Sequence, residues 1–296
     1  MDYKPEYMSI NALSVDKKLM DLLMSDNIEC TVYSVFRRAI NLETFRGGLI
    51  SINTRYNGPD TIVLSDRYNL SETGSEPGCP VICCDSGIYI QRSPFINFHN
   101  ISLWEHKSHD INIVNLKRNV IYVLSFFSNQ NSYEAEEIIK KIFLSVQSPS
   151  AALLLYDSVI SLIKGIKDNH RGRIKSSLSR IIGTGEGLTP AGDDFLTGLL
   201  GALYYFIRTL DTADKASVIL HIMKEDLNLE KTNFISSRFL SFSLEGRFSQ
   251  TVLEFLDVLF STSPVDEKPL KNLLSYGASS GTVTVIGILT GCLLLT

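Results

Sequence analysis

What this chain has least of narrows it first. Its five cysteines, Cys30, Cys79, Cys83, Cys84 and Cys292, are odd in number and unpaired in spacing, so they read as reduced thiols and exclude a disulfide framework. Cys79-x3-Cys83-Cys84 has no second Cys or His pair at ligand spacing, and His99, His106 and His109 downstream do not complete one, so structural zinc is disfavoured. No apolar run reaches the ~20 residues of a membrane span. The two strongest, Phe195 to Ile207 and Val283 to Leu295, have 13 residues each and are expected as buried core helices. Basic charge is not in excess: the formal net charge is -4, which excludes a dedicated nucleic-acid binder. The first residues mix acid and base where a signal peptide needs an apolar stretch, so the cytoplasm is the expected location. Nucleophile signatures are missing too. There is no Gly-x-Ser-x-Gly elbow, Walker lysine or His-Glu-x-x-His, and covalent catalysis is not indicated.

What is present has the composition of a folded protein. Of 296 residues, 44% are hydrophobic and 20% charged, enough for a large core and for two domains. A short helix is predicted around Val15 to Met24. After it, β-branched and aromatic runs at 31–36, 48–53, 61–64, 81–83, 87–90 and 120–124 alternate with turn residues such as Asn57-Gly-Pro-Asp60. Asp85 to Ile90 reads as a hairpin. This spacing predicts an antiparallel barrel or sandwich. From Tyr133 the period changes to that of a helix, with helices expected at 133–146, 151–167, 174–182, 194–208, 213–226, 232–244 and 249–260 and two more near the end. Ser150, Asp211 and Ser249 are plausible helix starts. The fold class is therefore α+β: a β-rich N-terminal domain over 1–130, joined near Ser128-Asn-Gln-Asn-Ser132 to an α-helical domain over 131–296.

The densest chemistry lies in Gly183-Thr-Gly-Glu-Gly-Leu-Thr-Pro-Ala-Gly-Asp-Asp194, twelve residues holding four glycines and three carboxylates directly before an apolar run. Glycines let backbone N–H groups converge on a ligand, and a helix start adds the positive end of its dipole, so Gly185, Gly187, Thr189 and Gly192 are candidate anion ligands. A tight inter-helix turn capped by Thr189 or an Asp accounts for the same residues. Asp193 and Asp194 point about 100° apart on a helix, so at most one faces a ligand while the other caps or meets a base: Asp193 is expected as the cap or an acid linked to Mg²⁺, the candidate cofactor, and Asp194 as the buried partner, or the reverse. Replacing either with Asn is expected to lower activity with little change in stability. Arg171, Arg173 and Arg180 upstream can complete an anion pocket or form a solvated face, and Arg238 is a further candidate anion ligand. Thr232, Ser236 and Phe239 share a helix face. The spacing Gly192 to Gly198 recurs as Gly281 to Gly287, each at the head of an apolar helix, and would let two helices approach closely with both turns at one end.

Gly187-Leu-Thr-Pro-Ala-Gly-Asp-Asp-Phe-Leu-Thr-Gly198 resembles the signature of a bacterial family typified by the AllH subunit of oxamate carbamoyltransferase, from anaerobic allantoin degradation. Thr232-Asn-Phe-Ile-Ser-Ser-Arg-Phe-Leu240 with Glu245-Gly-Arg-Phe-Ser249 is similar to its second motif, and Gly277-Ala-Ser-Ser-Gly281 to its closing one. In the family an Asp usually follows that last glycine. Here it is Thr282, which supplies no carboxylate for a metal or a substrate. The resemblance implies a subunit that interconverts oxalurate and phosphate with oxamate and carbamoyl phosphate alongside companion chains. It places Asp193 and Asp194 in the chemistry and Ser279, Ser280 and Gly281 at the small anionic substrate. The rival reading is a non-catalytic scaffold or an anion-binding regulatory subunit.

Overall fold

The computed structural model describes residues 9–107, 111–127, 140, 144, 149–209 and 213–296. The chain divides into two compact units, 1–107 and 108–296. Among the described residues no helix is long and apolar enough to cross a membrane.

The first unit is a closed β-barrel. Its strands are β1 (Ser9–Asp16), β2 (Ile28–Phe36), β3 (Ala39–Thr44), β4 (Leu49–Asn53), β5 (Thr61–Leu64), β6 (Pro80–Cys84), β7 (Gly87–Ile90), β8 (Phe95–Asn97) and β9 (Ser102–Trp104), ordered β5-β4-β3-β2-β6-β7-β8-β1-β9. Closure comes from β1. One of its edges pairs antiparallel with β5, and the other pairs parallel with β8 and then β9. Most pairings are antiparallel, as expected. The parallel ones, β4 with β5 and β1 with β8 and β9, make the barrel mixed, because β1 returns across the sheet to seal it. Side chains such as Ile10, Val32, Leu42, Ile52, Ile62, Cys83 and Ile88 point inward and form the core. Helix α1 (Lys17–Ser25) adds Leu19 and Leu23 to that core. The β6–β7 hairpin turns on Asp85 and Ser86, with Cys84 opposite Gly87.

The run Val120 to Leu124, expected as a strand, is instead helical within α2 (Leu116–Phe126). Leu116, Asn119, Val120 and Val123 are its buried residues, a one-face helical spacing that outweighs β-branched content in so short a segment. Asn119 Nδ2 donates to the Leu259 and Ser261 carbonyls at 3.0 and 3.2 Å, and Asn115 Nδ2 donates to the Thr262 carbonyl at 2.7 Å. These bonds satisfy carbonyls at and just past the end of a helix, and they bind α2 within the second unit.

That unit continues with α3 (Pro149–Lys167), α4 (Arg171–Ile181), α5 (Ala191–Ile207), α6 (Ala213–Asp226), α7 (Phe234–Leu244), α8 (Gln250–Leu259), α9 (Glu267–Leu274) and α10 (Ser280–Leu295). Helix α3 starts at Pro149, ahead of the expected Ser150, while Ser249 holds the N-cap position of α8. The expected junction 128–132 and helix start Asp211 lie outside the described residues, as does the expected helix 133–146 apart from residues 140 and 144, which are helical.

Helices α5 and α10 are apolar on nearly every face and are buried together. A Cβ on Gly198 would stand 2.0 Å from the Thr284 carbonyl oxygen, and one on Gly287 2.1 Å from that of Phe195. The approach is reciprocal: the Cβ on Gly198 would also stand 2.9 Å from Ile288 N, and that on Gly287 2.9 Å from Leu199 N. Farther along, Gly291 meets the Ala202 side chain. The two helices therefore run parallel with both N-termini at one end. The same sequence spacing separates Gly192 from Gly281, Gly198 from Gly287 and Ala202 from Gly291, so the internal repeat is a spatial one.

Candidate functional site

The N-terminus of α5 draws three separated segments together. Asp193 is 2% exposed, and three donors meet it. Gly183 N–H donates to Oδ1 at 2.7 Å, Ser236 Oγ donates to Oδ2 at 2.6 Å, and Thr232 Oγ1 donates to the same oxygen. Asp193 thus fastens the turn after α4 and the entry to α7 onto α5. Thr232 itself precedes α7, whose N-cap is Asn233, with Oδ1 accepting from Ser236 N–H at 3.1 Å.

Asp194 faces the other helix of the pair. It lies near the hydroxyls of Ser280, the first residue of α10, and Thr189. Thr189 Oγ1 and Ser280 Oγ are also bonded to each other at 2.9 Å. Burial pushes the Asp194 carboxyl well above the ordinary carboxylate range, and the adjacent Asp193 charge adds to the shift. The two hydroxyls pull the other way without cancelling it.

Gly192 and Gly281 occupy matching positions. A Cβ on either would lie 1.8 Å from a carbonyl oxygen of the preceding helix, Ile181 for the first and Leu273 for the second. Their N–H groups donate to Thr184 O at 2.8 Å and Tyr276 O at 3.0 Å. Both glycines serve close approach of helix ends, and their donors are engaged within the loops. Gly185 and Gly187 differ. Both have positive φ, +118° and +94°, and a Cβ on Gly187 would meet nothing within 4 Å. The tip of the loop, Glu186 to Leu188, is exposed. Ser279 takes the N-cap position of α10 without a side-chain cap bond.

The two arginines stand apart from this cluster. Arg171 lies at the head of α4 and pairs with Glu225 at 2.6 Å and Asp226 at 3.1 Å, so its guanidinium ties α4 to α6. Arg238 lies over the Phe234 ring, and its Nε is buried without an acceptor. Two residues along a helix is a 200° turn, so Arg238 points away from the face on which Ser236 meets Asp193. No group of three or more His, Cys, Asp or Glu that could hold a metal ion occurs among the described residues. Sequence reasoning missed Gly183, whose N–H completes the Asp193 site. Its signal was an ordinary one, a glycine just past a helix end, here at φ +73°. Gly246 belongs to the same class: it has φ +78° after α7, and its Cα faces the Tyr204 ring.

The unlike surroundings of the two aspartates lead to an expected result. The folded chain holds the Asp194 proton above the range in which an unfolded aspartate, pKa about 3.9, releases it. Between those two pH values the folded state binds more protons, so this contribution to stability is full at low pH and is lost as pH rises through the folded value. Asp194→Asn removes the loss. Melting temperatures of variant and wild type should agree near about pH 4 and diverge in favour of the variant towards about pH 8. A variant equally or more destabilised at the higher pH would show that Asp194 is held as a charge.

Residues 181–292 match the family model described as oxamate carbamoyltransferase subunit AllH, and residues 11–103 match the AllH family N-terminal domain. No solved structure matches the chain. The first match begins at the end of α4 and runs through all three segments gathered around Asp193 and Asp194, and the second covers the barrel. Together they span most of the sequence, and the chain belongs to the AllH family of oxamate carbamoyltransferase subunits.

Proposed function

We propose that this chain is one subunit of a cytoplasmic oxamate carbamoyltransferase of allantoin and purine catabolism. It acts with companion chains to interconvert oxalurate and phosphate with oxamate and carbamoyl phosphate. The observation that carries the reading is the convergence of the loop 183–192, the entry to α7 and the head of α10 on one end of the α5–α10 pair. These are the three segments that resemble the family's motifs. The anionic substrate is assigned to the exposed tip of the loop, where Gly187 leaves backbone uncovered, with Gly185 before it and Thr189, bonded to Ser280, after it. Carbamoyl transfer asks for orientation of two substrates and stabilisation of oxyanion charge, and needs no covalent nucleophile.

One observation favours a second reading, a scaffold subunit. Gly192, Gly198, Gly281 and Gly287 are each filled by backbone of a neighbouring helix, so much of the motif serves packing. One assay separates the two. Carbamoyl phosphate formation from oxalurate and phosphate should be absent with the purified chain and appear when companion subunits are added. Loop substitutions such as Gly187→Val should then raise KM for phosphate or oxalurate. Full activity of such variants in the assembled enzyme would favour the scaffold.

A further inference from the structure

A buried cation needs an acceptor for its N–H groups, and Arg238 has none. Elsewhere in the helical unit Arg171 pairs with Glu225 and Asp226, Arg173 with Asp168, and Arg247 with Glu245. Barrel arginines such as Arg37, Arg46 and Arg55 are exposed, where water solvates the charge. Arg238 is only partly exposed, its Nε is buried without an acceptor, and among the described residues no carboxylate pairs with it. Its guanidinium carbon lies 5.4 Å from the centre of the Phe234 ring, a contact that leaves the N–H edge unbonded. An unmade hydrogen bond to a charged group is more costly than one to a neutral group, so a folded protein keeps such a donor where a bound group accepts from it.

The position of the guanidinium follows from α7. Long side chains on a helix lean towards its N-terminus, and contact with Phe234, the first residue of α7, shows that Arg238 does so. That end of α7 is the one Thr232 fastens to Asp193, two residues before Phe234. Arg238 points away from the clamp itself, so its edge is left for something other than the loop. Resting on the carbamoyl-transfer reading above, we infer that Arg238 is the anchor for the carboxylate that oxalurate and oxamate share, held side-on through Nε and Nη. Two parallel N–H groups match the two oxygens of a carboxylate. One guanidinium balances its single negative charge, whereas a phosphate dianion would keep charge uncompensated, so phosphate falls to the loop. The carboxylate passes through the reaction unchanged, because the bond that breaks lies at the carbamoyl carbon. Arg238 therefore acts on binding and orientation and takes no part in bond making.

Two measurements test the anchor. In the purified chain, excess oxamate should raise the melting temperature of the wild type, raise that of Arg238→Lys less, and leave Arg238→Gln unmoved. In the assembled enzyme, Arg238→Gln should raise KM for oxalurate about 10- to 100-fold with KM for phosphate little changed, the loss expected for hydrogen bonds to a charged group. Arg238→Lys keeps the charge but not the fork, and should fall between. A residue that only packs α7 would lower the melting temperature without ligand and move both KM values or neither. The anchor is wrong if oxamate fails to protect the wild-type chain, if it protects Arg238→Gln equally, or if KM for phosphate rises in place of that for oxalurate. A wild-type complex that fails to turn over oxalurate, while oxamate still protects the chain through Arg238, sinks the carbamoyl-transfer reading and keeps the carboxylate site.

Discussion

Adding a single methyl group at Gly198 or Gly287 should lower the stability of the helical unit by about 3 kcal/mol, the upper end of what overpacking costs. The new Cβ would meet a carbonyl oxygen at 2.0 or 2.1 Å, and that oxygen belongs to backbone, which cannot swing aside as a flexible side chain can. Relief requires α5 and α10 to separate, which opens gaps along two helices that are buried almost throughout. The double variant should cost less than the sum of the two singles, since a separation forced by one methyl partly accommodates the other. Gly187→Ala is the control. It has open space but φ +94°, so it should cost only the strain of a left-handed residue, about 1–2 kcal/mol. Denaturant titration followed by helical circular dichroism reads all four. Small losses at Gly198 and Gly287, equal to or below that of Gly187→Ala, would show that the helices do not cross at these residues.

The packing of α5 on α10 was legible because two apolar runs carried glycines at one spacing, and close approach is what helical glycines permit. The strands at 49–53, 61–64 and 87–90 were legible for a similar reason, since buried β-branched runs bounded by turns have few alternatives. Strand β3 escaped notice because its core residues Ile40 and Leu42 are separated by Asn41, which is buried and bonded to Ser34 Oγ at 3.0 Å. Strand β1 escaped because its pairing is almost all long-range: β5 lies on one side, β8 and β9 on the other, and Asp16 is buried where its carboxylate accepts from Asp60 N–H at 2.9 Å. No local pattern announces a strand whose role is closure. At the site the loop and both aspartates stood out in the sequence, whereas their division of labour depends on partners far along the chain, Thr232 and Ser236 for one and Ser280 for the other.

That division predicts opposite outcomes for adjacent residues. Asp193→Ala should cost about 3–5 kcal/mol, the range for stripping one partner from a buried polar network, because it leaves Gly183 N–H, Thr232 Oγ1 and Ser236 Oγ without their acceptor. Asp193→Asn keeps the shape but presents an amide N–H₂ to one set of donors. The hydroxyls can turn to accept from it, while the Gly183 N–H cannot, so the amide must place its oxygen towards Gly183 and the cost falls to about 1–2 kcal/mol. The hydrogen bonds of Asp193 and the burial of Asp194 thus lead to opposite expectations for amidation at the two positions. Above the range in which an unfolded aspartate ionises, Asp194→Asn should be stabilising, because it ends the cost of holding a proton that the unfolded chain releases, and Asp193→Asn should be destabilising. Hydrogen exchange at Gly183 distinguishes a local from a general effect. Its amide should lose protection in Asp193→Ala and keep it in Asp194→Asn, since only Asp193 holds that N–H. If both aspartates respond alike in stability and the Gly183 amide exchanges equally in the two variants, Asp193 is not the clamp that joins the loop to α7. The chemistry would then have to be shared between the two carboxylates.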